Sequence, residues 1–448
     1  MAERITLSFF LFGLIACILS GLPILFALTF GLICFLVYGL VKKNTLTQMG
    51  AMMLDGIRGA KNILIIFLLI GMLTSVWRTS GTIPYLIYHA IQILNPTLFV
   101  LYTFLLCCMM SFLMGTSFGT AATMGVVCMM ISRSLLVDPV LCGGAILAGS
   151  YFGDRCSPMS SSALLVSELT GTNIYDNIRR MFKTSVVPFV LSCLLYFFAK
   201  GTTAQTGNLA SLNLFRENFN LSFIVVLPAL LIILLSLFRV PVKKTMVISI
   251  LLACVICLTV QKTPITELLP SLLLGYQSSN TELGSLLNGG GVLSMAKVAG
   301  IILISTSYFG IFKKTELLTE IRKLVEASSY KITPFGSVLF TSVVMSAISC
   351  NQTLATMLTF QMCDSIVPDR KKLALILEDT VIVIAPLIPW SIAGGMPLMT
   401  VGAPTSSILF AFYLFLLPLF HFGLEWVKSR KKTVSLTEEE PYREDSQD

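Results

Sequence analysis

Gly149-Ser150-Tyr151-Phe152-Gly153-Asp154-Arg155-Cys156-Ser157-Pro158 sits inside an otherwise apolar run from about Pro139 to Leu165. Glycines, an acid beside a base, and a proline interrupt a helix in a stretch whose hydropathy otherwise suits lipid. The rest of the chain gives that interruption its meaning. Of 448 residues, 55% are hydrophobic and only 12% are charged, with a mean hydropathy of +0.86; a soluble chain carries about 25% charged residues. Runs such as Ile63–Val76, Leu221–Phe238, Met246–Val260 and Ile408–Phe420 approach or reach the length that crosses a hydrocarbon core of about 30 Å. The expected fold is therefore an all-α polytopic membrane protein, with about 10–12 transmembrane helices. Disorder, a collagen-like fibre, a nucleic-acid-binding domain and a disulfide-stapled scaffold are excluded by the same composition.

The formal charge of +8 does not indicate a nucleic-acid partner, because the basic residues fall in short clusters between apolar runs. These are Arg179/Arg180/Lys183, Arg239/Lys243/Lys244, Lys313/Lys314/Arg322/Lys323/Lys331, Arg370/Lys371/Lys372 and Lys428/Arg430/Lys431/Lys432. They mark cytoplasmic loops, whereas residues 201–220 and 261–291 hold only Arg216 and Lys262 and read as outside. Both termini are then cytoplasmic, with a disordered acidic tail, Glu438–Asp448. Glu3 and Arg4 precede an apolar stretch without a small-residue cleavage site, so the first helix is read as retained. Nearly all of the twelve cysteines lie in apolar segments, as small hydrophobes. Cys254 and Cys257 have no neighbouring His or carboxylate and suggest neither metal nor redox chemistry.

The chain divides into five parts. Residues 1–61 hold a helix pair joined at Gly21–Pro23 and an amphipathic surface helix over 44–61, with Met49, Met53, Leu54 and Ile57 on its apolar side. Residues 62–200 form a first repeat, 201–291 a linker with two spans, 292–427 a second repeat, and 428–448 a charged tail. In the first repeat, the span Ile63–Trp77 is followed by Pro96–Leu136, interrupted at Gly115–Thr123, and by the broken span 139–165. In the second, the span 292–312 is followed by Pro334–Ile366, interrupted at Ser349–Thr353, and by Leu373–Gly394, which contains Glu378-Asp379-Thr380 and Ala385-Pro386-Leu387-Ile388-Pro389. Loop charge makes the first series leave the cytoplasm and the second return to it. Inverted repeats follow, each with one re-entrant hairpin and one discontinuous helix.

Backbone unwound within a membrane must be satisfied by protein or by a water-lined cavity. Gly115-Thr116-Ser117-Phe118-Gly119-Thr120 supplies hydroxyls and close backbone approach, and Asn351, Gln352 and Thr353 supply amides and a hydroxyl. Such oxygens suit a small hard cation or the polar groups of a metabolite, although Ser and Thr also serve plain helix packing. Asp154 and Asp379 are the most informative residues, since a carboxylate at that depth costs at least about 2.5–3.5 kcal/mol and faces a functional cavity. A group so placed holds a proton or a cation but not both, which is a minimal mechanism of exchange. Competing readings make Arg155 the partner in an ion pair at the helix break, and Glu378 a helix-face residue near Lys371 and Lys372. Glu168, Asp176 and Asp364 read as solvated or capping. His89 and His421 read as isolated, and Trp77, Trp390 and Trp426 as interfacial or packing aromatics. Two intramembrane aspartates also permit an aspartyl protease, but Phe152-Gly153-Asp154 lacks the further glycine expected there, so no enzyme is expected. A channel-like role would show as unsaturable flux.

Five short stretches, taken in order, resemble the NhaC sodium/proton antiporter family over about residues 45–425. They are Leu69-Ile70-Gly71-Met72-Leu73 with Gly81-Thr82-Ile83-Pro84; Gly115-Thr116-Ser117-Phe118-Gly119-Thr120-Ala121; the Gly149–Pro158 stretch; Asn351-Gln352-Thr353-Leu354; and Leu377-Glu378-Asp379-Thr380 with Pro386-Leu387-Ile388-Pro389-Trp390. The resemblance implies an ion-transporter-superfamily fold in a plasma membrane, such as a bacterial inner membrane. It implies Na⁺ (or Li⁺) exchanged for H⁺, with no cofactor besides the transported ions. Exchangers of small organic acids, such as malate/lactate antiporters, share the fold and remain the alternative, with amino acids as further substrates. The residues carried over are Asp154 and Ser157 in the first half and Asn351, Gln352 and Asp379 in the second, with Thr116, Ser117, Ser160 and Thr380 in support. Asp154 and Asp379 are the Na⁺ candidates. The family typically places an Asp where this chain has Ser161, and fewer acids hold Na⁺ less tightly or leave room for an anionic or zwitterionic solute. The implied partners are the lipid bilayer and a small cation or organic solute, with a homodimer left open.

Overall fold

The computed structural model describes residues 2–20, 24–59, 61–199, 209–238, 240–315 and 333–438. The Gly21–Pro23 turn, Arg239, Arg322, Lys323, Lys331, the polar stretch 201–208 and the tail beyond Glu438 lie outside them. The fold is built from helices, and an isolated bridge between Tyr276 and Gly289 is its extended pairing among the described residues.

Helices α1 (Ala2–Leu19) and α2 (Ile24–Val41) are the expected first pair. Helix α3 (Leu46–Gly59) follows, with Met49 and Met52 buried and Leu54 exposed. Met53 and Ile57 are half-buried, so of the expected apolar side Leu54 is the residue that turns outward, and the helix packs against the later helix Ala296–Thr315. Helix α4 (Lys61–Thr79) bends by 65° into α5 (Thr82–Ile93). Gly81 makes that bend in the left-handed region, at φ +79°, which a side chain disfavours.

A turn at Pro96–Leu98 leads into α6 (Phe99–Met114). Together they make a 19-residue apolar helix long enough to cross a membrane, where the sequence suggested one arm of a hairpin. After the break come α7 (Ser117–Thr120), a π-helical turn at Ala121–Gly125 and α8 (Val126–Ser134). Helix α9 (Pro139–Cys156) is capped by the Asp138 carboxylate and lies along α6. Gly149 and Gly153, one turn apart, permit this approach: a Cβ on Gly153 would stand 2.0 Å from the Ser111 carbonyl carbon. Helices α10 (Ser161–Thr170) and α11 (Ile174–Phe198) complete the first half. The linker holds α12 (Leu209–Asn218), α13 (Leu227–Leu237), α14 (Val242–Thr259), α15 (Ile265–Leu274) and α16 (Thr281–Leu287). The second half comprises α17 (Ala296–Thr315), α18 (Pro334–Ser349), α19 (Gln352–Cys363), α20 (Arg370–Asp379), α21 (Val381–Ile384), α22 (Ile392–Val401) and α23 (Phe412–Glu438). Arg370–Leu387 and Ile392–Val401 form a second bent pair, at 54°.

The two halves repeat in backbone detail. Helix α6 ends on Gly115 in the left-handed region (φ +64°) followed by extended Thr116 (φ −152°); α18 ends on Cys350 (φ +54°) followed by extended Asn351 (φ −144°). Ser160 caps the ten-residue α10, which stops at left-handed Gly171, and Ser391 caps the ten-residue α22, which stops at left-handed Gly402. Each series then closes in a long helix with an internal proline, Pro188 in α11 and Pro418 in α23. The break in the Gly149–Pro158 stretch falls later than its glycines suggested. Helix α9 stays wound through Cys156 and the chain unwinds at Ser157–Ser160, so Asp154 and Arg155 stand on a helical last turn.

One apolar core gathers α4, α6, α8, α9 and α14, and another gathers α1, α2 and α18–α21. The polar breaks lie where these two cores meet, while large apolar side chains such as Phe12, Phe26, Phe198 and Phe238 are exposed, as on a surface facing lipid.

Candidate functional site

Asp154 projects from the last turn of α9 and is 3% exposed. The Ser162 hydroxyl donates to its Oδ2 at 3.1 Å and the Gln352 amide to the same oxygen at 3.2 Å. Ser160 donates to Oδ1 at 3.4 Å and to the Asp154 carbonyl, and the Ser117 backbone N–H faces the same carboxylate. Ser160 therefore has two tasks, since its hydroxyl also accepts from the amides of Ser162 and Ala163 and starts α10. Gln352, on the first turn of α19, bridges from Asp154 to the Ile382 carbonyl at 3.3 Å. The two halves thus meet at one carboxylate.

Asp379 stands apart from this cluster. Its Oδ1 receives Arg155, with Thr184 at 3.5 Å, and its Oδ2 lies 2.6 Å from His421 Nδ1. Arg155 is fully buried and also reaches the hydroxyls of Thr184 (2.9 Å) and Tyr413 (3.2 Å), that of Ser185, and the Met181 carbonyl. With both oxygens so engaged, Asp379 is a partner that neutralises Arg155, and the Na⁺-ligand role expected for it does not suit this arrangement. Arg155 is part of an ion pair, but the pair crosses to the second half and leaves its neighbour Asp154 free of it. Asp154 and Asp379 thus have separate sets of hydrogen-bond partners.

Glu378 departs most from expectation. It is 0% exposed, and neither carboxylate oxygen has a hydrogen-bond partner. The nearby Lys371 and Lys372 do not reach it: Lys372 pairs with Glu425 at 2.9 Å. Ser157 donates to the Phe112 carbonyl at 2.6 Å and accepts from Met159 N–H, so it shapes the unwound segment. Asn351 caps α19 through Thr353 and Leu354 N–H, Thr380 bonds Ile376 and Ser342, and the Thr116 carbonyl accepts from Thr120. The hydrogen bonds of these four expected ligands stay within the breaks and their neighbouring helices, and none of them goes to Asp154, Asp379 or Glu378. Ser161, where the family typically has an acid, is exposed and is not among the groups that bond the Asp154 carboxylate.

Sequence reading missed Ser162 and His421. Ser162 follows from the Ser160 cap, which places its hydroxyl over the preceding helix end. His421 lies two helical turns after Tyr413, with buried Leu414 and Leu417 between them on the same face, and that spacing was the available signal. Among the described residues no cluster of three or more His, Cys, Asp or Glu could hold a metal ion. Hydroxyls, an amide and one carboxylate instead suit transient coordination of a hard monovalent cation.

Unwound helix ends that enclose a buried, hydroxyl-lined carboxylate within an apolar helical chain are the architecture of a membrane carrier. The family model described as "Na+/H+ antiporter family" matches residues 4–168 and 149–428, and the chain belongs to that family. It is 28% identical to the Na(+)/H(+) antiporter NhaC of Alkalihalophilus pseudofirmus, over 82% of each chain. It is 27% identical to the malate-2H(+)/Na(+)-lactate antiporter of Bacillus subtilis, over 79% of this chain and 78% of that one. Identity is also 27% to the arginine/ornithine antiporter ArcD of Halobacterium salinarum, over 79% of this chain and 76% of that one.

Proposed function

We propose that this protein is a secondary antiporter that exchanges Na⁺ or Li⁺ for H⁺ at Asp154. The observation that carries the reading is the bond from Gln352 to Asp154, which joins the two repeat-like halves at one titratable oxygen. In the form described, the carboxylate accepts from Ser160, Ser162 and Gln352. When those hydroxyls rotate and the amide turns its oxygen inward, the same shell offers lone pairs to a cation. Proton and cation then compete for one carboxylate, and relative movement of the halves exposes it to each side in turn. Glu378, enclosed and with no hydrogen-bond partner at either oxygen, is a second group able to carry a proton beside the exchange site.

The distribution of Lys and Arg supports both termini in the cytoplasm, and the family supports a plasma-membrane location. Purified protein in vesicles carrying an internal pH dye should move protons when Na⁺ or Li⁺ is added outside, and Asp154→Asn should not. Failure of the unaltered protein to respond to either cation overturns the reading. Proton movement evoked by malate or lactate alone would establish the second reading, organic-acid exchange, which the likeness to the malate/lactate relative favours.

A further inference from the structure

A cavity of about 330 Å³ lies away from the acids, between α5, α6, α8 and α13. That volume falls at the small end of ligand sites, which run from about 300 to 1,000 Å³. Its wall is mostly apolar, from Leu106 and Met110 to Ala229 and Ile233, and the lining residues with polar side-chain groups are His89, Thr123 and Trp77, whose indole N–H is bound to Ser249. Its rim includes Ile93, which is 78% exposed, and Leu230, also exposed, so it opens on the surface that this membrane protein turns to lipid. His89 lines it beside the rings of Tyr85 (4.3 Å) and Tyr88 (5.2 Å), an aromatic and polar grouping of the kind enriched at headgroup depth. The inner wall includes Thr123 and Met124, both in the π-helical turn at Ala121–Gly125 that follows the Ser117 break.

We infer that this cavity is a binding site for one acyl chain of a membrane lipid, with the headgroup end at His89 and the chain against the π-helical turn. An apolar cavity gives water no partners and stays dry or takes up an apolar guest, and in a bilayer the guest at hand is an alkyl chain. The polar end and apolar interior match an amphiphile in the orientation that the bilayer imposes. A π-helical turn inserts an extra residue into a helix and is frequent at functional sites, and the occupant would lie against this turn, which follows the Ser117 break.

Trp77 supplies the reporter, because it lines the cavity yet is only 3% exposed and is shielded from the bulk lipid around the protein. The double variant Trp390→Phe/Trp426→Phe leaves Trp77 as the single indole of the chain. In vesicles of phosphatidylcholine brominated on its acyl chains, Trp77 emission should fall relative to unbrominated vesicles. Adding Ala229→Phe, which places a ring in the space the chain would occupy, should restore it. Unchanged emission in brominated lipid overturns the proposal, and so does quenching that survives Ala229→Phe, which would report surrounding lipid. No ion gradient is involved, so the result is independent of the exchange assigned to Asp154.

Discussion

Asp379 gives one carboxylate oxygen to Arg155 and the other to His421, and the consequence is a sharp difference between two aspartates that looked equivalent in the sequence. Removing Asp379 strands a buried guanidinium, a loss of about 3–5 kcal/mol. Asp379→Asn is therefore expected to lower the unfolding temperature of the purified protein markedly. Asp154→Asn keeps a carbonyl that accepts from Ser162 and Gln352 and should cost about 1 kcal/mol while abolishing exchange. Equal thermal losses in the two variants would refute this division of labour. Glu378→Gln removes a proton-bearing group whose oxygens touch no donor; its expected signature is retained Na⁺-dependent stabilisation with fewer protons moved per Na⁺, measured by paired dye and ²²Na⁺ flux. These roles were only half legible beforehand. Depth in an apolar run singled out both aspartates, but which one is neutralised depends on Thr184, Ser185, Tyr413 and His421, all remote in sequence.

At the scale of elements, α6 and α9 touch through glycine. Gly153 meets Ser111 backbone, whereas Gly171, in the left-handed region after α10, has open space where a Cβ would go. Gly171→Ala should thus cost about 1–2 kcal/mol, the price of left-handed backbone alone. Gly153→Ala forces two helices apart, and should exceed the 1–3 kcal/mol usual for overpacking. Thermal unfolding of the two variants side by side checks the order. The prolines, glycines and capping serines that end these helices were visible in the sequence, because punctuation acts locally. The place where α9 unwinds was not, since a Gly-Asp-Arg stretch stays helical when Arg155 finds a buried partner beyond its own helix. Similarly, α3 turned its methionines inward because α17 offered a surface to pack on.

Across the whole molecule, loop charge assigns the segment around Ser279 to the outside and that around Lys371 to the cytoplasm. In right-side-out membranes, Ser279→Cys should react with a membrane-impermeant maleimide and Lys371→Cys only after permeabilisation; the reverse pattern would invert the topology. By itself the sequence determined an all-α membrane chain, the order of its broken segments and its family likeness, because hydropathy and helix punctuation are properties of consecutive residues. Only the tertiary structure decided that Asp154 gathers Ser160, Ser162 and Gln352, that Arg155 and His421 occupy Asp379, and that Glu378 is enclosed without a donor. Those outcomes rest on which side chains a packed interior brings within hydrogen-bond reach, a choice made between segments roughly two hundred residues apart in several of these contacts.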